Sequence, residues 1–133
     1  MNHEILIAKP MRGAHTLTQP RFAMPAGACD THVHVFGPAE LYPRVERPHY
    51  TLPDGNLPQL QAMCQALDLA RFVIVQPSFY GTDNRCLLDA LDRAGDMARG
   101  VAMVADDVSE EQLRQMHARG VRALRLDLFL RSS

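Results

Sequence analysis

No stretch of this sequence approaches the ~18 consecutive apolar residues of a membrane-spanning helix. The N-terminal run Ile5-Leu6-Ile7-Ala8 is also too short for the core of a secretion signal, so a chain that is neither exported nor membrane-bound is expected. Cysteine is scarce. Cys29, Cys64 and Cys86 are odd in number and form no CxxC, which argues against a disulfide framework and for a reducing, cytoplasmic setting. Charge of one sign is missing too: 14 basic side chains face 15 acidic ones, for a net charge of −1. Without polyelectrolyte attraction, neither a dedicated nucleic-acid binder nor a polybasic membrane anchor is expected. Proline is absent beyond Pro77, and eight of the nine prolines lie in residues 1–58. Because proline fixes φ and donates no backbone hydrogen bond, that first segment reads mostly as arm and loop.

What remains is an ordinary globular composition, 47% hydrophobic and 22% charged, in 133 residues. That length suits one domain, and it is about half of the roughly 250 residues a closed (β/α)8 barrel needs. Residues 1–24 read as a flexible arm. Ala28 to Phe36 is the one plausible strand of the proline-rich segment, closed by Gly37-Pro38. From residue 57 the pattern becomes regular. Leu57, Leu60, Met63, Cys64 and Leu67 predict an amphipathic helix over 57–69, with Pro58 in its first turn. A short apolar strand over 71–77 follows. Then comes a helix capped by Asp83 or Asn84 and carrying Leu87, Leu88, Leu91 and Ala94. Residues 100–105 read as a third strand. Ser109 and Gln112 form a capping box, Leu113 and Met116 face inward, and Gly120 suits the end of that helix. Val121 to Leu126 is the fourth strand. Nearly continuous apolar strands alternating with helices mean a parallel sheet covered by helices, so the fold class is α/β.

Three places could carry chemistry. In Asp30-Thr31-His32-Val33-His34 the two histidines are two residues apart on a strand, on one face and about 6.6 Å apart along the backbone. Two imidazoles so placed can converge on one cation, or can equally be hydrogen-bonded structural groups. His3, His15, His49 and His117 have no comparable spacing. The loop Gln76 to Asn84 joins a hydroxyl to backbone N–H groups near a helix start, which suits an anion or simply a turn with its cap. Arg122 and Arg125 leave the fourth strand on opposite faces, so one guanidinium must point to the sheet interior or its mouth. There it needs a carboxylate, either Asp127 or a ligand.

In this order, Cys29 to Pro38, Val75-Gln76-Pro77-Ser78 with Tyr80 to Asn84, Arg99 to Ala102, and Gly120 to Arg125 resemble the amidohydrolase superfamily. The resemblance is to its pyrone-dicarboxylate lactonase branch and runs from about Pro25 to Arg131. It implies that residues 25–133 form the N-terminal half of a (β/α)8 TIM barrel. It also implies hydrolysis of a lactone in a small dicarboxylated substrate such as 2-pyrone-4,6-dicarboxylate, in the breakdown of aromatic compounds. His32 and His34 match the histidine pair of the first strand, which binds a divalent metal (zinc above all) in many members and contacts substrate in this branch. Metal-independent action fits the branch as well, and no organic cofactor is implied. Tyr50, Ser78, Arg125 and Arg131 match positions that hold the substrate's carboxylates, and arginine forks suit a dianion. The resemblance also implies a histidine on strand five and a general-base aspartate on strand eight. Both would fall beyond the fourth strand read here. Three expectations follow: a hydrolase, a catalytically inactive half-barrel, or one half of a two-chain barrel. Asp30 is expected on the His32 face, one step deeper, where it could orient an imidazole. Four strands with two open edges also imply self-association.

Overall fold

The computed structural model describes residues 20–45 and 55–127. Most of the expected arm, residues 1–19, lies outside the described residues, and 20–24 belong to no helix or strand. The sheet starts at β1 (Cys29–Val33), whose entry is set by Ala28: its carbonyl accepts the N–H groups of Ala70 (3.0 Å) and Arg71 (3.2 Å). Helix α1 (Leu57–Ala66) is opened by a capping box in which Gln59 N donates to Asn56 Oδ1 (3.0 Å) and Asn56 N to Gln59 Oε1 (2.9 Å). It stops short of the expected residue 69. Asp68 turns into the left-handed region at φ 54°, and Leu69 N bonds back to the Cys64 carbonyl at 2.8 Å.

Strand β2 (Arg71–Val75) runs until Pro77 removes the next donor; Gln76 N still reaches the Val101 carbonyl at 2.8 Å. A 3₁₀ turn, Ser78–Tyr80, leads to α2 (Arg85–Ala94). Strand β3 (Ala98–Ala102) starts two residues before expected, because a 3₁₀ turn over Gly95–Met97 delivers the chain directly into the sheet. It ends early because Met103 N turns to the Asn84 side chain (3.1 Å) instead of a neighbouring strand. Helix α3 (Glu110–Ala118) carries the expected Ser109–Gln112 box, and Gly120 (φ 104°) leads into β4 (Val121–Leu124).

The four strands are parallel and lie in the order β1-β2-β3-β4, as four βα units of a barrel require. Phe72, Ile74, Leu87, Leu91, Ala98, Ala102 and Val121 form the core between sheet and helices. Gly100 brings α2 close: a Cβ there would stand 2.7 Å from Leu91 Cδ1. Val35 joins this core and Val33 packs against it, so His32 and His34 lie on the other side of the sheet. Among the described residues no helix is long and apolar enough to cross a membrane.

Candidate functional site

The first strand does not keep strict alternation. Asp30 pairs with Phe72 and Val33 with Ile74, so β1 advances three residues where β2 advances two. This bulge re-aims the chain just where the histidines begin. It also overturns the expected role of Asp30: its Oδ1 accepts the backbone N–H of His32 at 3.1 Å rather than orienting an imidazole.

The histidine pair is brought together as expected. The two rings stand edge to face, with centroids 5.2 Å apart. His34 Nδ1 lies 2.8 Å from the Val75 carbonyl at the end of β2. A carbonyl can only accept, so Nδ1 carries a proton, and in the neutral ring Nε2 keeps its lone pair. Partial burial pushes the His34 pKa below its ordinary 6.5. The hydrogen bond to Val75 opposes that shift, and the nearby His32 and Arg125 charges add to it. Phe36 stands behind the pair, 6.4 Å from His34, and packs on Phe79 and Tyr80.

Of the two arginines, Arg122 turns away and donates to the His117 (2.7 Å) and Val121 (2.8 Å) carbonyls. Arg125 is the one at the mouth. Its backbone N–H continues the ladder to Ala102 (2.7 Å), and its Nη1 donates to the Gln76 carbonyl at 3.0 Å. Ser78 stands two residues beyond Gln76, at the start of the 3₁₀ turn. His32, His34, Ser78 and Arg125 therefore sit at the C-terminal ends of β1, β2 and β4, where barrel enzymes keep their chemistry. Tyr50 and Arg131 lie outside the described residues.

The loop after β2 is built by two amides whose roles a reading of single motifs does not reveal. Gln76 Nε2 donates to the carbonyls of Gly81 (3.0 Å) and Asp83 (2.8 Å). Asn84 occupies the cap position of α2 without capping it; its amide instead spans to Met103, with Nδ2 on the carbonyl at 2.7 Å. Asp83 takes the Arg85 N–H (3.2 Å) and a two-pronged bond from the Arg85 guanidinium, which holds its carboxyl below the usual range. A polar residue at the end of an apolar strand is the one signal in the sequence for Gln76.

A tetrahedral catalytic zinc takes three protein ligands and a water. The residues here offer two imidazoles, one with its Nδ1 already engaged, and Asp30 is turned onto the backbone. Among the described residues no group of three or more His, Cys, Asp or Glu could hold a metal ion. Their donor set does not by itself fit zinc. A cavity of about 420 Å³ between α2 and α3, walled by Arg85, Leu88, Gln112, Met116 and Arg119, includes none of the expected site residues.

Among proteins of known identity, the chain is 42% identical over 114 residues to 2-pyrone-4,6-dicarboxylate hydrolase of Comamonas testosteroni, covering 86% of this chain and 37% of that one. It is 38% identical over 111 residues to 4-sulfomuconolactone hydrolase of Hydrogenophaga intermedia, covering 84% and 37%. The crystal structure of a probable 2-pyrone-4,6-dicarboxylic acid hydrolase from Acinetobacter baumannii, with citric acid bound, superposes with a TM-score of 0.70 at 29% identity. That match covers 77% of this chain and 38% of the other. The chain thus spans a little over a third of the length of the curated relatives it matches. The amidohydrolase family profile matches residues 29–132, and the chain belongs to that family.

Proposed function

We propose that this chain provides the carboxylate-binding side of a lactone hydrolase for small dicarboxylated substrates such as 2-pyrone-4,6-dicarboxylate. The observation that carries the reading is the placement of Arg125 and His34 on neighbouring carbonyls at one mouth. Among the described residues the Arg125 guanidinium bonds to Gln76 through Nη1, which leaves its remaining N–H groups for a ligand carboxylate. The neutral His34 offers Nε2 as an acceptor, and His32 stands at right angles to it. Ser78, and by resemblance Tyr50 and Arg131, would complete the grip on a dianion. In a lactone hydrolysis water adds to the ring carbonyl and the ring C–O bond breaks. The resemblance gives water activation to an aspartate of an eighth strand; the residues here bind and orient. Both relatives above are named as hydrolases, one of a pyrone dicarboxylate and the other of a sulfo-substituted lactone, which supports a small anionic lactone as substrate. All three cysteines are free thiols, which suits a reducing compartment such as the cytoplasm.

Calorimetry with 2-pyrone-4,6-dicarboxylate tests the reading. Arg125→Ala should weaken binding tenfold or more; an identical signal before and after the substitution overturns it.

A second reading rests on β4, where Leu124 and Leu126 are 46% and 78% exposed beside the strand edge. There further strands of the barrel would pack, whether from a longer chain, a second copy or a separate chain. Light scattering decides: a monomer with a cooperative melt at high temperature contradicts association through this edge.

A further inference from the structure

Gln76 is fully buried, and both its backbone and its side chain are committed. Its N–H donates to Val101 in the sheet (2.8 Å), and its carbonyl receives Arg125 Nη1 (3.0 Å). Its amide nitrogen donates to Gly81 and Asp83. Both of those partners are carbonyls, so the amide group facing them must be NH2, and the oxygen must face away. That Oε1 is buried with no hydrogen-bond partner among the described residues. The unpaired buried acceptor opposes folding, whereas the two bonds from Nε2 satisfy carbonyls that an apolar side chain would leave without that donor. The glutamine side chain closes the Pro77–Asp83 loop, while the main-chain carbonyl of the same residue, which any residue would supply, holds Arg125. Glutamate would present oxygen to two carbonyls, and asparagine is one methylene short.

We infer that Gln76 is a positioning residue that sets the separation of Ser78 from Arg125, and with it the preference for a ligand carrying two carboxylates. The inference rests on the proposed carboxylate-binding role of this mouth. The amide clamp fixes the loop on which Ser78 rides, and the same residue's carbonyl fixes the guanidinium. Displacing one displaces the spacing between them.

The test compares wild type, Gln76→Met and Leu113→Ala, a half-buried α3 residue remote from the mouth, as full chains. Isophthalate and benzoate are titrated by calorimetry. Gln76→Met should lose tenfold or more in isophthalate affinity and less than threefold in benzoate affinity. Leu113→Ala should lower the melting temperature and leave both affinities within twofold of wild type. A wild-type ratio of the two affinities in Gln76→Met, or an equal drop in Leu113→Ala, overturns the inference. If Gln76→Met does not melt cooperatively, Gln76→Asn takes its place with the same expectations. If wild type itself ignores isophthalate, the proposed function fails. The positioning role is then decided by the NMR signals of Ser78 N–H and Arg125 Nε–H, which must both move in the Gln76 variant and not in Leu113→Ala.

Discussion

His34 and Arg125 come from opposite edges of the sheet and meet on consecutive carbonyls at the end of β2, those of Val75 (2.8 Å) and Gln76 just beyond it (3.0 Å). Partial burial makes protonation of the His34 imidazole harder; the hydrogen bond to Val75 opposes this, and the nearby His32 and Arg125 charges add to it. His34 should therefore titrate below 6.5, with its proton on Nδ1 in the neutral form, as read by nitrogen-15 NMR. Arg125→Ala should raise the midpoint; a fall, or no change, contradicts the placement. The folded state holds fewer protons on His34 than the unfolded chain does. Stability should therefore decline as pH drops from about 6.5 towards the lowered folded value, and level off beneath it.

Zinc gives a second expectation. With two imidazoles and no third ligand among the described residues, zinc added to the chain and then dialysed should remain at well under one equivalent. Stoichiometric zinc that disappears in the His32→Ala/His34→Ala double variant would show that a third ligand comes from elsewhere.

Much of this is local and so was legible in the sequence. The Ser109–Gln112 box depends only on a three-residue spacing; the structure adds a second such box at Asn56–Gln59. The side on which His32 and His34 lie follows from Val33 and Val35 between and beyond them. The bulge at Thr31-His32 is different, because it is a property of pairing with β2 and no feature of β1 alone announces it. The bond from the His32 backbone N–H to the Asp30 carboxylate is visible only once that pairing is in place. Spacing alone leaves Arg122 and Arg125 equivalent; the resemblance singles out Arg125, and the carbonyl of Gln76, 49 residues away in sequence, holds it at the mouth. Gln76 and Asn84 likewise bind carbonyls that the loop and β3 put in place, so their tasks appear only once the chain has folded.

Gly100 is required by the close approach of α2. Alanine there would press on Leu91, itself buried, and should cost about 1–3 kcal/mol in chemical denaturation. Leu91→Ala alone should cost about 2–5 kcal/mol through the cavity it leaves. Because the new methyl would enter that cavity, the double variant should lose less than the sum of the two. Simple additivity would mean that the strand and helix are not in contact at this point.

The thiols should separate by burial. Cys64 and Cys86 are buried, and burial pushes both thiols above their ordinary range, whereas Cys29 is half-buried. A disulfide reagent should therefore titrate about one thiol rapidly in the native chain and all three in denaturant. Substitution of Cys29 by serine should abolish the fast phase. Its survival would mean that α1 or α2 opens readily.

Arg119 ties α3 to α2 through Asp92 (2.6 Å) and Asp89 (3.2 Å), and Asp89 in turn accepts the Tyr42 hydroxyl (2.8 Å) from the loop after β1. Arg119 holds the Asp92 carboxyl below its ordinary value. A lowered carboxyl pKa contributes stability above the unfolded value, about 3.9, and loses it as pH falls through the folded one. These groups are largely exposed, so Arg119→Met should cost about 1 kcal/mol or less at pH 7. The difference from wild type should shrink as the pH is lowered past 4, and it should also shrink in high salt. A penalty that stays constant from pH 7 to pH 3 would assign the role of Arg119 to the packing of its aliphatic stem rather than to its charge.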